Sequence, residues 1–156
     1  MQIPKMEMVL FIGIQAVGKS EFCKKYFYKT HIRLNLDMLK TRHREKLLLE
    51  ACITAKQPLV IDNTNPTANE RQMYIAYAKE AGLKVFGFYF HSGIAGALER
   101  NSNRHGNEVV PDIAILATHK KLELPRYSEG FDELYYVSLH QSNVGEFIVE
   151  RYDYEI

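Results

Sequence analysis

The sequence predicts an α/β fold, a parallel sheet of about five strands with helices on both faces, from three observations. Short apolar runs alternate with longer amphipathic stretches along the chain, the pattern of strands joined by helical crossovers. The short runs are rich in β-branched and aromatic residues, as expected of strands buried on both faces. A glycine-rich loop, residues 13–20, separates the first apolar run from the first amphipathic stretch, a strand-loop-helix order typical of such folds.

Five apolar runs are the predicted strands, and they are residues 8–13, 32–36, 59–61, 85–90 and 134–139. Five amphipathic stretches are the predicted helices, and they are residues 20–28, 38–56, 69–81, 94–103 and 111–122. Pro66 and Pro111 suit helix starts, and Gly82 suits a helix end. Residues 143–156 mix polar and aromatic side chains, and the pattern assigns them neither to a strand nor to a helix.

Composition and charge are those of an ordinary globular chain. Of the 156 residues, 46% are hydrophobic and 25% are charged, and the formal net charge is +1. So small a charge argues against a long electrostatic footprint on duplex nucleic acid, although a few arginines would suffice to grip the end of a strand. Cys23 and Cys52 lack metal-ligand spacing, and no stretch is long enough to span a membrane. We therefore expect a reduced, cytoplasmic protein without a membrane partner.

Residues 13–20 read Gly-Ile-Gln-Ala-Val-Gly-Lys-Ser, a complete G-x-x-x-x-G-K-S phosphate loop. Backbone N–H groups of such a turn, the positive end of the following helix and one lysine together hold a triphosphate. Lys19 is predicted to pair with the β- and γ-phosphates, and the Ser20 hydroxyl to hold Mg²⁺. The residues predicted to bind ATP or GTP in this loop are Gly13, Gln15, Ala16, Val17, Gly18, Lys19 and Ser20.

Two carboxylates follow predicted strands, at the edge of the sheet where such folds bind ligands. Asp37 comes directly after the second run, where it could act as general base for an attacking hydroxyl. It would equally suit an N-cap of the next helix. Asp62 ends the third run, as in a Walker-B-like element beside Mg²⁺, and a polar turn is the alternative. We interpret Asp62 as a Mg²⁺ ligand, and Asp37, Asp62, Asn63 and Asn65 as residues of the acceptor side.

Cationic residues in two places could contact phosphates. Arg100 and Arg104 share one helix face and could close over the triphosphate as a lid; a solvated charged face with Glu99 as partner is the alternative. Residues 40–46 carry four lysines or arginines directly after Asp37. Lys40 is the best placed of them to bind an acceptor phosphate, although a solvated helix face would look the same.

Several of these residues occur in a fixed order with further short motifs. The stretches are residues 13–20, 34–37 and 61–66, then Arg71, Tyr74, Ala78 and Gly82, and then residues 101–104, 120–125 and 129–131. Together they resemble the kinase domain of polynucleotide 5′-kinases, P-loop phosphotransferases that repair nucleic-acid ends. The motifs follow the family's order over about residues 8–138, and the Ile-Asp-Asn-Thr-Asn-Pro block is more specific than the phosphate loop.

The resemblance implies a P-loop NTPase kinase fold that transfers the γ-phosphate of ATP, with Mg²⁺, to the 5′-hydroxyl of DNA or RNA. It implies that Asp37 is the general base and that Arg104 is a lid arginine on the donor phosphates. It also implies that Asp62 and the neighbouring asparagines organise the floor of the site. We expect residues 1–156 to form a single kinase domain, with a phosphatase or ligase as a possible separate partner.

The chain departs from the family at two positions on the acceptor side. Leu36 stands where the family commonly has an arginine beside the catalytic aspartate, and Lys40 stands where a phosphate-gripping arginine is expected. A lysine is a point charge and not a bidentate fork. Two alternatives therefore remain, a kinase of a small hydroxyl metabolite, and a nucleotide-binding ATPase or switch without a hydroxyl acceptor.

Overall fold

A computed structural model describes residues 6–91, 93–139 and 146–152. Its strands are β1 (Glu7–Ile12), β2 (Ile32–Leu34), β3 (Leu59–Ile61), β4 (Lys84–His91), β5 (Glu133–Leu139) and β6 (Phe147–Arg151). They form one sheet in the order β2-β3-β1-β4-β5-β6. The first five are parallel to their neighbours and β6 runs antiparallel to β5. The predicted α/β fold with a five-stranded parallel sheet is confirmed, with one antiparallel strand added at its edge.

The helices are α1 (Lys19–Tyr26), α2 (Leu36–Leu39), α3 (Arg42–Ala55), α4 (Ala68–Glu80), α5 (Ile94–Ser102) and α6 (Asp112–Lys121). Alternate residues of each central strand face opposite layers, as the strand period of two requires. One layer packs against α3 and α4 through residues such as Leu49 and Tyr74. The other packs against α1, α5 and α6, where Phe22, Ala97 and Ile115 meet the sheet. Helices therefore cover both faces, as predicted.

The single helix predicted over residues 38–56 is wrong, because the chain forms α2 and α3 with a break between them. Lys40 adopts a left-handed φ of +71°, which no helix interior tolerates. The Thr41 side chain then accepts from Arg44 N–H at 3.1 Å and caps α3. Asn35 caps α2 by accepting from Met38 N–H at 2.9 Å. The N-cap alternative for Asp37 is therefore also wrong, since Asn35 fills that role.

Residues 143–156, which the sequence pattern assigned neither to a strand nor to a helix, contribute β6. Phe147 of this strand approaches the phosphate loop so closely that a Cβ added to Gly18 would lie 3.0 Å from its ring. Residues 143–145 and 153–156 of the same tail lie outside the described residues. In the described part of the chain, no helix has both the length and the apolar character that crossing a bilayer requires.

A buried ion pair joins α4 to the segment before β5. Arg71 is fully buried, and its guanidinium donates to both carboxylate oxygens of Glu129, at 2.7 and 3.2 Å. The same guanidinium donates to the backbone carbonyls of Asn65 and Glu123. These contacts connect residues from three of the short motifs on which the resemblance rests. Those motifs therefore stabilise the fold.

We expect Arg71→Met to lower the free energy of unfolding by about 3–5 kcal/mol, because it leaves the buried Glu129 carboxylate without its cationic partner and two backbone carbonyls without their donor. Urea unfolding followed by circular dichroism measures the change. Lys79→Met is the matched control, since its ion pair with Asp132 is half-exposed and should contribute no more than about 1 kcal/mol. A loss below about 1 kcal/mol in Arg71→Met would contradict the assigned role.

Candidate active site

The phosphate loop follows β1 and leads directly into α1. Gly13 N–H donates to the Thr64 carbonyl at 3.0 Å, which fixes the start of the loop against the chain after β3. Gly18 has φ of +91° and precedes the first turn of α1, a conformation that favours glycine. The side chains of Ala16 and Val17 are buried, so their contribution to the site comes from the backbone. The loop therefore presents its N–H groups at the start of a helix, the arrangement that binds phosphate.

Lys19 folds back over this loop. Its Nζ donates to the carbonyls of Gly13 at 2.8 Å and Ile14 at 2.5 Å. Burial lowers the pKa of Lys19 to about 8, while the charges of Asp62 and Asp37 raise it and that of Arg104 lowers it. Three charged residues that the sequence singled out, Asp62, Asp37 and Arg104, are thus close enough to Lys19 to shift its pKa.

Ser20 and Asp62 meet at the predicted metal position. The Ser20 hydroxyl donates to Asp62 Oδ2 at 3.0 Å, and the Asp62 carboxylate is almost completely buried. Arg33 of β2, which the sequence did not single out, contacts both. Its Nε donates to Asp62 Oδ2 at 2.8 Å and its Nη2 to Ser20 Oγ at 3.0 Å.

The donor set at this position fits Mg²⁺. A hydroxyl and a carboxylate are the hard oxygen ligands that Mg²⁺ prefers, usually completed by nucleotide phosphates and water. Nowhere among the described residues do three or more His, Cys, Asp or Glu side chains cluster as a metal cage. Ser20 and Asp62 would therefore supply two protein ligands, and a metal ion here would need phosphate or water oxygens to complete its shell.

Asp37 is exposed in the first turn of α2, and two asparagines fix that helix beside Asp62. The Asn35 amide donates to the Asp62 carbonyl at 2.6 Å. Asn63 Oδ1 accepts from Leu36 N–H at 2.9 Å. The start of α2, which carries Asp37, is thereby fastened to the chain at the end of β3.

The two other predicted acceptor residues occupy different environments. Asn65 is buried and its amide donates to the Phe11 carbonyl at 2.8 Å, which joins the chain after β3 to β1. This placement argues against the acceptor contact predicted for Asn65. Lys40 is exposed directly after α2, where its ammonium group is available to an acceptor. Asn63 supports α2 through its oxygen, as described, while its amide donates to Glu45 of α3 at 3.1 Å.

The two predicted lid arginines differ in what they contact. Arg100 Nε donates to the Ala16 carbonyl at 2.5 Å, so this side chain braces the phosphate loop. Arg104 donates through Nη1 to the Glu108 carbonyl at 3.1 Å, and its charge still influences Lys19. Arg104 lies beyond the end of α5, so the shared helix face predicted for the pair is wrong, and its role on the donor phosphates stays a prediction.

One further loop residue, Gln15, contacts α6. Its amide donates to the Thr118 hydroxyl at 3.0 Å, and Thr118 is buried. The tip of the phosphate loop is therefore supported from α5 by Arg100 and from α6 by Thr118. Neither support has a local sequence signal, because each contact joins residues far apart in the chain.

The lowered pKa of Lys19 predicts that nucleotide affinity falls above about pH 8. A bound nucleotide phosphate pairs with the protonated Lys19 ammonium and raises its pKa. Above the pKa of free Lys19, nucleotide binding therefore has to take up a proton. The affinity should be nearly constant from about pH 7 to 8 and then fall toward tenfold per pH unit. Calorimetric titration with ADP measures this, and Lys19→Met should abolish the dependence. An equally steep fall in Lys19→Met would contradict it.

Known proteins resemble this chain in sequence and in fold. Residues 41–125 match the model of the family described as AAA domain. A bifunctional polynucleotide phosphatase/kinase of Schizosaccharomyces pombe is 31% identical over 130 residues, 80% of this chain and 32% of that protein. A putative bifunctional polynucleotide phosphatase/kinase of Acanthamoeba polyphaga mimivirus is 32% identical over 143 residues, 87% of this chain and 34% of that protein.

Among solved structures, a gluconokinase from Sinorhizobium meliloti 1021 superimposes with a TM-score of 0.60 at 18% identity, over 86% of this chain and 83% of that one. At so low an identity the likeness is one of fold. The chain spans about a third of the length of the curated relatives it matches. The family match begins after the phosphate loop, so the loop and its geometry are independent observations.

Proposed function

The chain belongs to the AAA domain family and is a P-loop kinase, and on that premise we propose that it transfers the γ-phosphoryl group of ATP to the 5′-hydroxyl of a DNA or RNA end. The observation that carries this proposal is the position of Asp37, exposed on a fastened helix and electrostatically coupled to Lys19 of the phosphate loop. The names of the two curated relatives support a nucleic acid as the acceptor.

On the donor side, the phosphate loop binds the triphosphate through its backbone N–H groups. Lys19 then exchanges its two carbonyl acceptors for phosphate oxygens, and the negative charge of the phosphates restores its protonation. Ser20 and Asp62 would hold Mg²⁺, which offsets charge on the β- and γ-phosphates when bound. Arg104 stabilises charge on the equatorial oxygens of the transferred group.

On the acceptor side, Asp37 orients the hydroxyl and accepts its proton as the bond to the γ-phosphorus forms. The bond between that phosphorus and the bridging oxygen breaks, and ADP leaves. Most of the rate enhancement comes from holding the two substrates in line and from charge stabilisation. The fastening of α2 to the end of β3 by Asn35 and Asn63 supplies that alignment.

Cationic side chains near Asp37 support a polyanionic acceptor. Arg42 is largely exposed, yet its Nη1 is anchored by Glu45 Oε1 at 3.1 Å and the Tyr74 hydroxyl at 2.8 Å. Arg44 is held by the Leu39 carbonyl at 3.1 Å. Lys40, Arg42 and Arg44 thus follow α2 directly in the chain, and cationic side chains there would suit the phosphates that follow a 5′-hydroxyl.

A small hydroxyl metabolite is the second candidate acceptor. It is favoured by Leu36 and Lys40, which replace the two arginines expected of a polynucleotide kinase, and by the near-neutral charge of the chain. The gluconokinase named above is a metabolite kinase on the same fold. The two candidates share the donor site and the base, so only the acceptor distinguishes them.

A panel of acceptors tests the proposed function. Labelled ATP and Mg²⁺ are supplied with 5′-hydroxyl DNA and RNA oligonucleotides, a nucleoside 3′-phosphate and gluconate, each beside its 5′- or 6-phosphorylated counterpart as a blocked control. We expect label in the oligonucleotides and the nucleoside 3′-phosphate, and none in gluconate. Label in gluconate alone would overturn the nucleic-acid assignment in favour of a metabolite kinase.

A further inference from the structure

The guanidinium of Arg33 lies where the proposed metal would lie. It bridges Ser20 Oγ and Asp62 Oδ2, at 3.0 and 2.8 Å, with two different nitrogens. Both oxygens are the ones assigned to Mg²⁺ above. The Asp62 side chain is 1% exposed, while that of Arg33 is 32% exposed. The arginine therefore lies between the buried carboxylate and solvent.

Two physical consequences follow from this arrangement. A divalent cation cannot reach Asp62 while the guanidinium covers it, so Arg33 has to move before Asp62 can act as a ligand. A buried carboxylate also needs a positive partner, since leaving it unpaired is strongly unfavourable. Arg33 supplies that partner when no metal is bound, and it holds Ser20 and Asp62 beside each other at the same time.

We propose that the Arg33 guanidinium occupies the metal site when no nucleotide is bound. There it holds Ser20 and Asp62 in place, and it competes with Mg²⁺ for these two ligands. This inference rests on the Mg²⁺ role proposed above and is independent of which acceptor the enzyme uses. Free Mg²⁺ brings no phosphate ligands of its own and is disfavoured by the competing charge. Mg²⁺ that arrives with a nucleotide gains phosphate oxygens as ligands, which offsets the displacement of Arg33.

Only the side chain of Arg33 has to move in this exchange. The residue lies in the middle of β2, whose register on β3 pairs Arg33 with Val60, and the backbone there is fixed by the sheet. The exchange therefore needs no rearrangement of the fold. Arg33 is thus a positioning residue, because Ser20 and Asp62 become available as metal ligands only after its side chain has moved.

Binding of Mn²⁺ in the absence of nucleotide tests the proposal, because it needs neither acceptor nor turnover. The loss of the free Mn²⁺ signal in electron paramagnetic resonance reports binding to wild type, Arg33→Gln and the double variant Arg33→Gln/Asp62→Asn. We expect Arg33→Gln to bind Mn²⁺ at least about tenfold more tightly than wild type, because a competing charge is removed. The double variant should lose the gain. Equal affinity in wild type and Arg33→Gln, or a gain that survives in the double variant, would overturn the proposal.

Two further variants separate a local effect from net charge and from misfolding. Lys79→Gln removes one positive charge on α4, beside Asp132, and should leave Mn²⁺ affinity unchanged; a gain equal to that of Arg33→Gln would overturn the proposal. If Arg33→Gln does not fold, Arg33→Lys carries the test. It keeps the charge but cannot bridge both oxygens as a fork, so it should raise Mn²⁺ affinity by a smaller factor, and no gain would overturn the proposal. Oligonucleotide phosphorylation is measured separately, and it tests the proposed function independently of the Mn²⁺ affinities.

Discussion

Lys19→Met is expected to lower kcat/KM for phosphoryl transfer by about 10³-fold. The methionine fills a similar volume but removes the one ammonium group of the phosphate loop, which donates to the carbonyls of Gly13 and Ile14. Preorganised charge aimed at a transferring phosphoryl group typically contributes a factor of about 10²–10³ for each group removed. Steady-state assays with labelled ATP measure the loss.

The matched control for this change is Lys25→Met, at the exposed end of the same helix α1. It removes the same charge from the same helix and should retain activity within about twofold, as expected of an exposed side chain. Circular dichroism shows whether both variants keep the fold. Activity above about a tenth of wild type in folded Lys19→Met would contradict the assignment of residues 13–20 as the catalytic phosphate loop.

Asp37→Asn is expected to lower kcat by about 10²–10⁴-fold, the range for removal of a general base. The amide has the shape of the carboxylate but cannot accept the hydroxyl proton. Nucleotide affinity should not fall, because the removed negative charge does not attract the triphosphate. Glu21→Gln, at an exposed position of α1, is the matched control. It should keep the kcat and the nucleotide affinity of wild type. A fall in nucleotide affinity with kcat unchanged would assign Asp37 to binding and not to proton transfer.

The sheet and the donor site could be predicted because their signals are local. Each buried strand is one apolar run, and the phosphate loop is eight consecutive residues whose glycines, lysine and serine have fixed backbone roles. The rule that ligands lie at the carboxyl ends of parallel strands then placed Asp37 and Asp62 beside that loop. Both carboxylates lie close enough to Lys19 to raise its pKa, although their chemical roles remain predictions.

What the sequence could not predict depends on contacts between distant residues. Arg33 is a single arginine in a short apolar strand, and its importance comes from Ser20 and Asp62, 13 and 29 positions away. The break at Lys40 depends on a left-handed residue that is not a glycine, and lysine carries no signal for that conformation. The strand β6 is recognised only by its pairing with β5.

The roles of two sequence motifs also changed once burial was known. Asn65 belongs to the block that is more specific than the phosphate loop, yet its buried amide joins the chain after β3 to β1. The Glu-Gly-Phe block holds the fold, because Glu129 pairs with Arg71 and a Cβ on Gly130 would meet Ile75 at 2.7 Å. A motif shared with a family can thus reflect packing as well as chemistry, and only the contacts distinguish the two.

The most direct test of phosphoryl transfer to a hydroxyl is to follow where the γ-phosphate goes. Wild type and Asp37→Asn are incubated with labelled ATP, Mg²⁺ and a 5′-hydroxyl oligonucleotide, and the label is counted separately in oligonucleotide and in free phosphate. Phosphoryl transfer to a hydroxyl predicts that wild type places the label on the 5′ end and that Asp37→Asn loses this transfer by at least about 10²-fold. Release of free phosphate at equal rates by both proteins, with none on the oligonucleotide, would contradict it and identify an ATPase that has no hydroxyl acceptor.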